Sequence, residues 1–304
     1  MLRDLHRGDS GMGTDSRVLF HSDFESGLAG WTWYTRDTAR ISVRTNSGAH
    51  AGRSHLRAQV TRANLAADQY VSSQVQVNLD RAVPVMYWRF HAQFVGATAT
   101  PHHWVRMAAG TPDFQSDGLA NTLPAGDKGF WFDLDAHQGD ILSFYAYWYK
   151  MRSGRCNDGS AVPGCAGDQG TTYYYGNNFS PANQTPFPRD KWFCLEIRAA
   201  ANEVGRSDGS LTLWKNDTLV EDYRPGGPKG RWLRDNFFTW GQYYQPVENF
   251  GGFDFRASPE VLLRRVTLDA YYQDNTLPAA APDVQTILYD DVVVATSRIG
   301  CRKD

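Results

Sequence analysis

No run of about 18 consecutive apolar residues occurs in this 304-residue chain, so no membrane-spanning helix is expected. No block of lysine and arginine is present either. The 31 basic and 33 acidic residues leave a formal net charge of -2, which argues against a nucleic acid partner. There is no CxxC pair, so a structural zinc site is not expected. Internal repeats, low-complexity tracts and helical periodicity of ordinary length are all missing, which excludes solenoids and helix bundles. The opening MLRDLHRGDSGMGTDSR lacks the apolar core of a signal peptide; residues 1–16 read as a disordered lead-in.

Cysteine is scarce, with four residues in all. Cys156 and Cys165 bracket the turn-rich NDGSAVPG, and a bridge between them would staple that loop. Cys194 lies in WFCLEIRA and Cys301 close to the C-terminus, where a second bridge would tie the tail to a sheet. An even count in a loop-rich β chain points to an exported, secreted protein.

What the chain has in quantity is aromatic and turn-forming residues: 13% aromatic, with 10 Trp and 15 Tyr, beside 28 Gly and 14 Pro. Short alternating segments recur, among them QYVSSQVQVNL (69–79), VPVMYWRFHAQFVG (83–96), KWFCLEIRAAAN (191–202) and TILYDDVVVATSRIG (286–300). Many strands with turn signals at short intervals predict an all-β chain. The architecture expected is a two-sheet antiparallel jelly-roll sandwich occupying residues 17–304 as one domain. Three long loops, 111–129, 152–190 and 225–260, are placed to wall a concave face.

The working face is predicted in KGFWFDLDAHQGDILSFYAYWYKM (128–151), two strands joined at His137–Asp140. Alternation puts Trp131, Asp133, Asp135 and His137 on one side and Phe130, Phe132, Leu134 and Ala136 on the core side. Tyr145, Tyr147 and Tyr149 share one side of the second strand. Carboxylates, an imidazole and phenols on one face suit a sugar chain. Arg89, His91 and Gln93 form a further same-side donor row on a neighbouring segment.

DFESGLAGW, KWFCLEIRAAAN followed by DGSLTLWKND, and YDDVVVATSRIG together resemble the concanavalin A-like jelly rolls of polysaccharide lyases, particularly the alginate and glucuronan lyase families. The resemblance covers residues 18–301. It implies β-elimination on an acidic, uronic-acid-containing polysaccharide: a base takes the proton next to the carboxylate, an acid protonates the leaving oxygen, and cationic donors neutralise the carboxylate. The family's paired tyrosines match Tyr145 and Tyr147, Arg106 stands where a basic residue precedes a Pro/Gly loop, and His137 is a candidate base. RSEL-like and QIH-like motifs of the best-known alginate lyases are absent. The resemblance also implies a structural Ca2+ held by Glu25 and Asp291.

Two other functions fit the same residues. A non-catalytic carbohydrate-binding module would stack sugars on Trp104, Trp131 and the tyrosines. A glycoside hydrolase would use Asp133 and Asp135, two apart on one strand and about 6.5–7 Å from each other, within the range of an inverting pair. A monomer is the default expectation.

Overall fold

The computed structural model describes residues 1–114, 119–137, 139–165, 170–182, 185–239 and 247–303. Parts of the three long loops and Gln138 of the hairpin turn lie outside the described residues.

The alternating segments pair as two large sheets, packed face to face as the apolar phases require. The back sheet has eight strands. Its path runs Thr218–Tyr223, Ser210–Lys215, Phe193–Ala200, Val85–Phe94, Val284–Ala295, Ser54–Thr61 and Ile41–Thr45, with Val18–Ser22 paired on Val284–Ala295. The cleft sheet has ten strands. Its centre is Asn177–Ser180, Ile141–Tyr147, Gly129–His137, Val105–Gly110, Leu262–Leu268 and Val75–Val83. The all-β jelly-roll expectation therefore holds.

Two runs expected as loop contain strands. Asn177–Ser180 runs parallel to Asn236–Phe238, and Lys229–Leu233 pairs with Asn236–Phe238. Phe179, Phe250 and Phe253 pack these segments into the core with Tyr223. The single α-helix among the described residues, Arg62–Ala67, is one short turn capped by Thr61, whose hydroxyl accepts the Asn64 N–H at 3.0 Å.

Between the sheets, Trp88, Phe90 and Phe94 of the back sheet face Phe132, Leu134 and Phe144 of the cleft sheet, all fully buried. Each such side chain contributes about 1.5–3 kcal/mol by leaving water. Trp104 joins this core and donates its indole N–H to the Tyr289 hydroxyl at 2.7 Å. It is therefore a core residue and not a sugar platform, because its ring fills the space above Phe90 and Phe94.

Both disulfides form, Cys156–Cys165 and Cys194–Cys301, with Cα atoms 5.5 and 5.8 Å apart.

Residues 1–16, expected to be disordered, instead pack on the outside of the back sheet. Leu2 and Met12 are buried with Val293 and Ile299, and the Leu2 and Gly8 N–H groups donate to the Arg298 and Lys303 carbonyls. The reason lies in Arg89. Its strand faces it away from the core, yet it is fully buried, and Asp9 reaches over to pair with it at 2.5 Å. Asp9→Ala would leave that guanidinium buried without its carboxylate, a loss of about 3 kcal/mol. A lowered urea midpoint at unchanged slope is the expected readout.

No helix among the described residues is long and apolar enough to cross a membrane.

Candidate active site

Strand register builds the site. Arg106 lies opposite Asp133, and Asp133 opposite Tyr145; Trp131 lies opposite Tyr147. Directly opposed residues share a face and come within side-chain reach, so one lateral row carries guanidinium, carboxylate and phenol away from the core. Arg106 donates to Asp133 from Nε at 2.7 Å and from Nη2 at 3.1 Å. Its guanidinium lies over the Trp131 ring at 4.1 Å. The Tyr145 and Tyr147 hydroxyls are 3.5 Å apart.

A cleft of about 600 Å³ opens over this row, lined by Arg106, Trp131, Tyr145 and Tyr147. One wall is a two-stranded ribbon, Tyr70–Ser72 with Tyr271–Gln273. Alternation divides its residues: Val71 and Tyr272 are buried, whereas Tyr70, Ser72, Tyr271 and Gln273 line the cleft. Gly176, at φ +97°, is the only residue type that fits beside the Tyr145 ring, since a Cβ there would collide with it.

His103, which the sequence reads as a loop-edge residue beside His102 with no role in the site, lies at its centre. It occupies an irregular stretch just before Val105–Gly110, where periodicity assigns no side. The strand pairing brings it beside Asp135, its Nδ1 at 3.3 Å from that carboxylate and 3.4 Å from Asp133. Its ring lies 4.9 Å from Tyr145 and parallel to Tyr271 at 5.8 Å. Carboxylates only accept, so Nδ1 carries the hydrogen and Nε2 is the nitrogen left for a substrate. The doublet His102-His103 was the only signal available.

The charges are set by burial and by these pairings. Burial lowers the His103 pKa, but Asp135 and then Asp133 outweigh it and hold the imidazole above its ordinary value. His102 is pushed down to about 4 by burial and by His103, and stays neutral. Burial raises Asp133, with Arg106 and His103 pulling it back. Tyr145 and Tyr147 are both raised by burial, so they remain protonated phenols. Asp269, which accepts from the Ser72 hydroxyl at 2.7 Å, is pushed up to about 7 by burial.

Other expected site residues lie elsewhere. His137 is exposed at the end of its strand and bonds Ser143; it lines a neighbouring hollow of about 290 Å³ that shares His102, His103 and Tyr145 with the cleft. Asp133 and Asp135 are buried, the first paired with Arg106 and the second with His103, and only Asp135 reaches the edge of a hollow. Tyr149 follows the strand end, packed on Gly126 and beneath the Lys150 ammonium at 4.2 Å.

Arg89, His91 and Gln93 do share a side, but it is the outer side of the back sheet, because their strand pairs with Phe193–Ala200 and Val284–Ala295. There Arg89 meets Asp9, His91 stacks on His50 at 3.7 Å, and Gln93 lies half-buried opposite Leu288.

Glu25 and Asp291, the expected calcium ligands, each have protein partners. The Glu25 carboxylate accepts the Arg53 and Ser54 N–H groups at 2.6 Å. Asp291 pairs with His50 at 2.5 Å and Arg302 at 2.9 Å. With His50 and His91 it forms a cluster that could hold a metal ion.

No family model matches the chain, and no curated protein matches it. Solved structures do. An endo-β-1,4-glucuronan lyase from the fungus Trichoderma reesei superposes with TM-score 0.54 at 14% identity, covering 92% of this chain and 96% of that one. An alginate lyase from a Chlorella virus gives 0.58 at 12%, over 92% and 100%. A marine alginate lyase from Aplysia kurodai gives 0.57 at 14%, over 92% and 97%. The chain has the jelly-roll fold of these polysaccharide lyases. At such identities the shared property is architecture. Within that lyase-type jelly roll, the case for chemistry rests on the row of side chains described above.

Proposed function

We propose that the protein is a polysaccharide lyase that β-eliminates a uronic-acid-containing glycan in the cleft. One observation carries this reading: His103, fixed through Nδ1 by buried carboxylates, shares a single cleft with two protonated phenols and a guanidinium. The His103 Nε2 takes the proton on the carbon next to the uronate carboxylate. The electron pair forms the new C=C bond as the C–O bond to the leaving sugar breaks. The Tyr145–Tyr147 pair returns a proton to the departing oxygen, and the positive charge of Arg106 steadies the carboxylate as charge builds there. Tyr70 and Tyr175, both exposed on the cleft, give sugar rings a stacking surface. Two disulfides fit an exported protein.

A hydrolase would need Asp133 or Asp135 free to meet the sugar, and both are buried and engaged, by Arg106 and by His103. A binding module would stack sugars on aromatics without needing the His103, tyrosine and Arg106 cluster; of its expected platforms Trp104 is in the core and Trp131 is capped by Arg106, which leaves the cleft tyrosines.

The direct test is growth of the unsaturated-uronate absorbance band on incubation with acidic polysaccharides; flat traces across all of them would retire the proposal. Its pH dependence follows from His103. A base must be unprotonated, and this imidazole is held above its usual ~6.5, so kcat/KM should climb with pH through that raised value. Asp135→Asn removes the main raising charge and should move the acid limb to lower pH. Asp269, at about 7, titrates nearby; Asp269→Asn should leave the limb in place if His103 sets it.

A further inference from the structure

Resting on the lyase reading, we infer that the substrate is a mixed glycan in which single uronic acids are flanked by neutral sugars, not a continuous polyuronate. The reason is how little positive charge the groove holds. Arg106 is the one lysine or arginine lining the cleft, and it is already paired with Asp133. The remaining polar lining on the ribbon side brings no further cation: Tyr70, Ser72, Gln74, Tyr271 and Gln273 are neutral, and Asp269 is an acid. Past His103 and Tyr145 the groove continues into the second hollow, where Thr100, His102, His137 and Asn178 are found, with the His103-bonded Asp135 as its acid and again no lysine or arginine. His102 is neutral there, its pKa down at about 4.

Flanking guanidinium groups are committed elsewhere. Arg40 donates to the Ser73 hydroxyl and the Ser72 carbonyl, and Arg265 to Asn78. None of the residues outside the described set is Lys, Arg or His, so no undescribed loop can bring in a cation. Asp133 is paired with Arg106 and Asp135 with His103, so the few positive groups of the groove are already offset by its acids.

A polyuronate carries a carboxylate on every sugar, and each one brought into this groove sheds water without gaining a cation. The amide, hydroxyl and phenol groups present suit the hydroxyls and ring faces of uncharged sugars. Only the sugar at Arg106 and His103 is offered charge. Because hollows lie on both sides of His103, the neutral sugars extend in both directions from the uronate.

The test compares unsaturated-product formation on a glycan whose repeat has one glucuronate among neutral sugars with that on polyglucuronate, alginate and polygalacturonate. The mixed glycan should be preferred by about ten-fold or more in kcat/KM, the scale of one uncompensated polar group. Gln74→Lys should narrow the gap by favouring the polyuronates. Equal or faster cleavage of a polyuronate would overturn the inference and leave the lyase standing. If no glycan yields product, the lyase reading falls, and retardation of the protein in gels containing each glycan decides the substrate class. Retention by the mixed glycan alone supports the inference; retention by a polyuronate, or by neither, overturns it.

Discussion

His103→Gln should lower kcat by a factor of about 10²–10⁴, the usual contribution of a positioned general base, while the protein stays folded. The amide can still donate toward Asp135 but has no lone pair of matching basicity at the Nε2 position. His103 lies at the cleft and not in the core between the sheets, so the melting curve should move little. The companion His103→Ala opens a space where free imidazole can enter, and added imidazole should restore part of the rate. A variant that keeps full activity would remove His103 from the mechanism. Retained activity in the double change Tyr145→Phe with Tyr147→Phe would likewise remove the phenols as proton donors.

Replacing Cys194 and Cys301 together by alanine should destabilise the protein by about 4–5 kcal/mol, the chain-entropy value for a loop near 100 residues; their separation is 107. The same treatment of Cys156 and Cys165, separated by 9, should lose about 2.5 kcal/mol. Urea unfolding measures both. The long-loop variant has a second expected property: kcat/KM at 25 °C should be unchanged, because the bridge fastens the tail to the back sheet, away from the cleft. A stability loss no larger than that of the short loop would show that the tail is held by Ile299 and Arg302 without the covalent tie.

Much of this was legible along the chain, since alternation is a local property. The phase of Gly129–His137 follows directly from Phe130, Phe132 and Leu134, and the same holds for Tyr145 and Tyr147. What alternation does not contain is partnership. Arg89, His91 and Gln93 were assigned a common side correctly and the wrong sheet, because pairing between Val85–Phe94 and Val284–Ala295 joins residues some 200 positions apart. His103 and Trp104 precede their strand, so no period fixes either. One became the centre of the cleft and the other a core residue through the register of Val105–Gly110 on Gly129–His137. Asp133 and Asp135 illustrate a third gap: a row of acids on an outer face reads as open until the neighbours that cover it are known.

The ribbon formed by Tyr70–Ser72 and Tyr271–Gln273 is the thinnest part of this architecture. Two strands alone are marginal in water, and this pair is held by Val71, by Tyr272, by the Tyr272 hydroxyl on the Ala99 carbonyl at 2.8 Å, and by a main-chain bridge from Tyr271 to His103. The Tyr271 N–H donates to the His103 carbonyl at 3.2 Å, so this wall and the proposed base are fastened to each other, and any shift of the ribbon carries the imidazole's backbone with it.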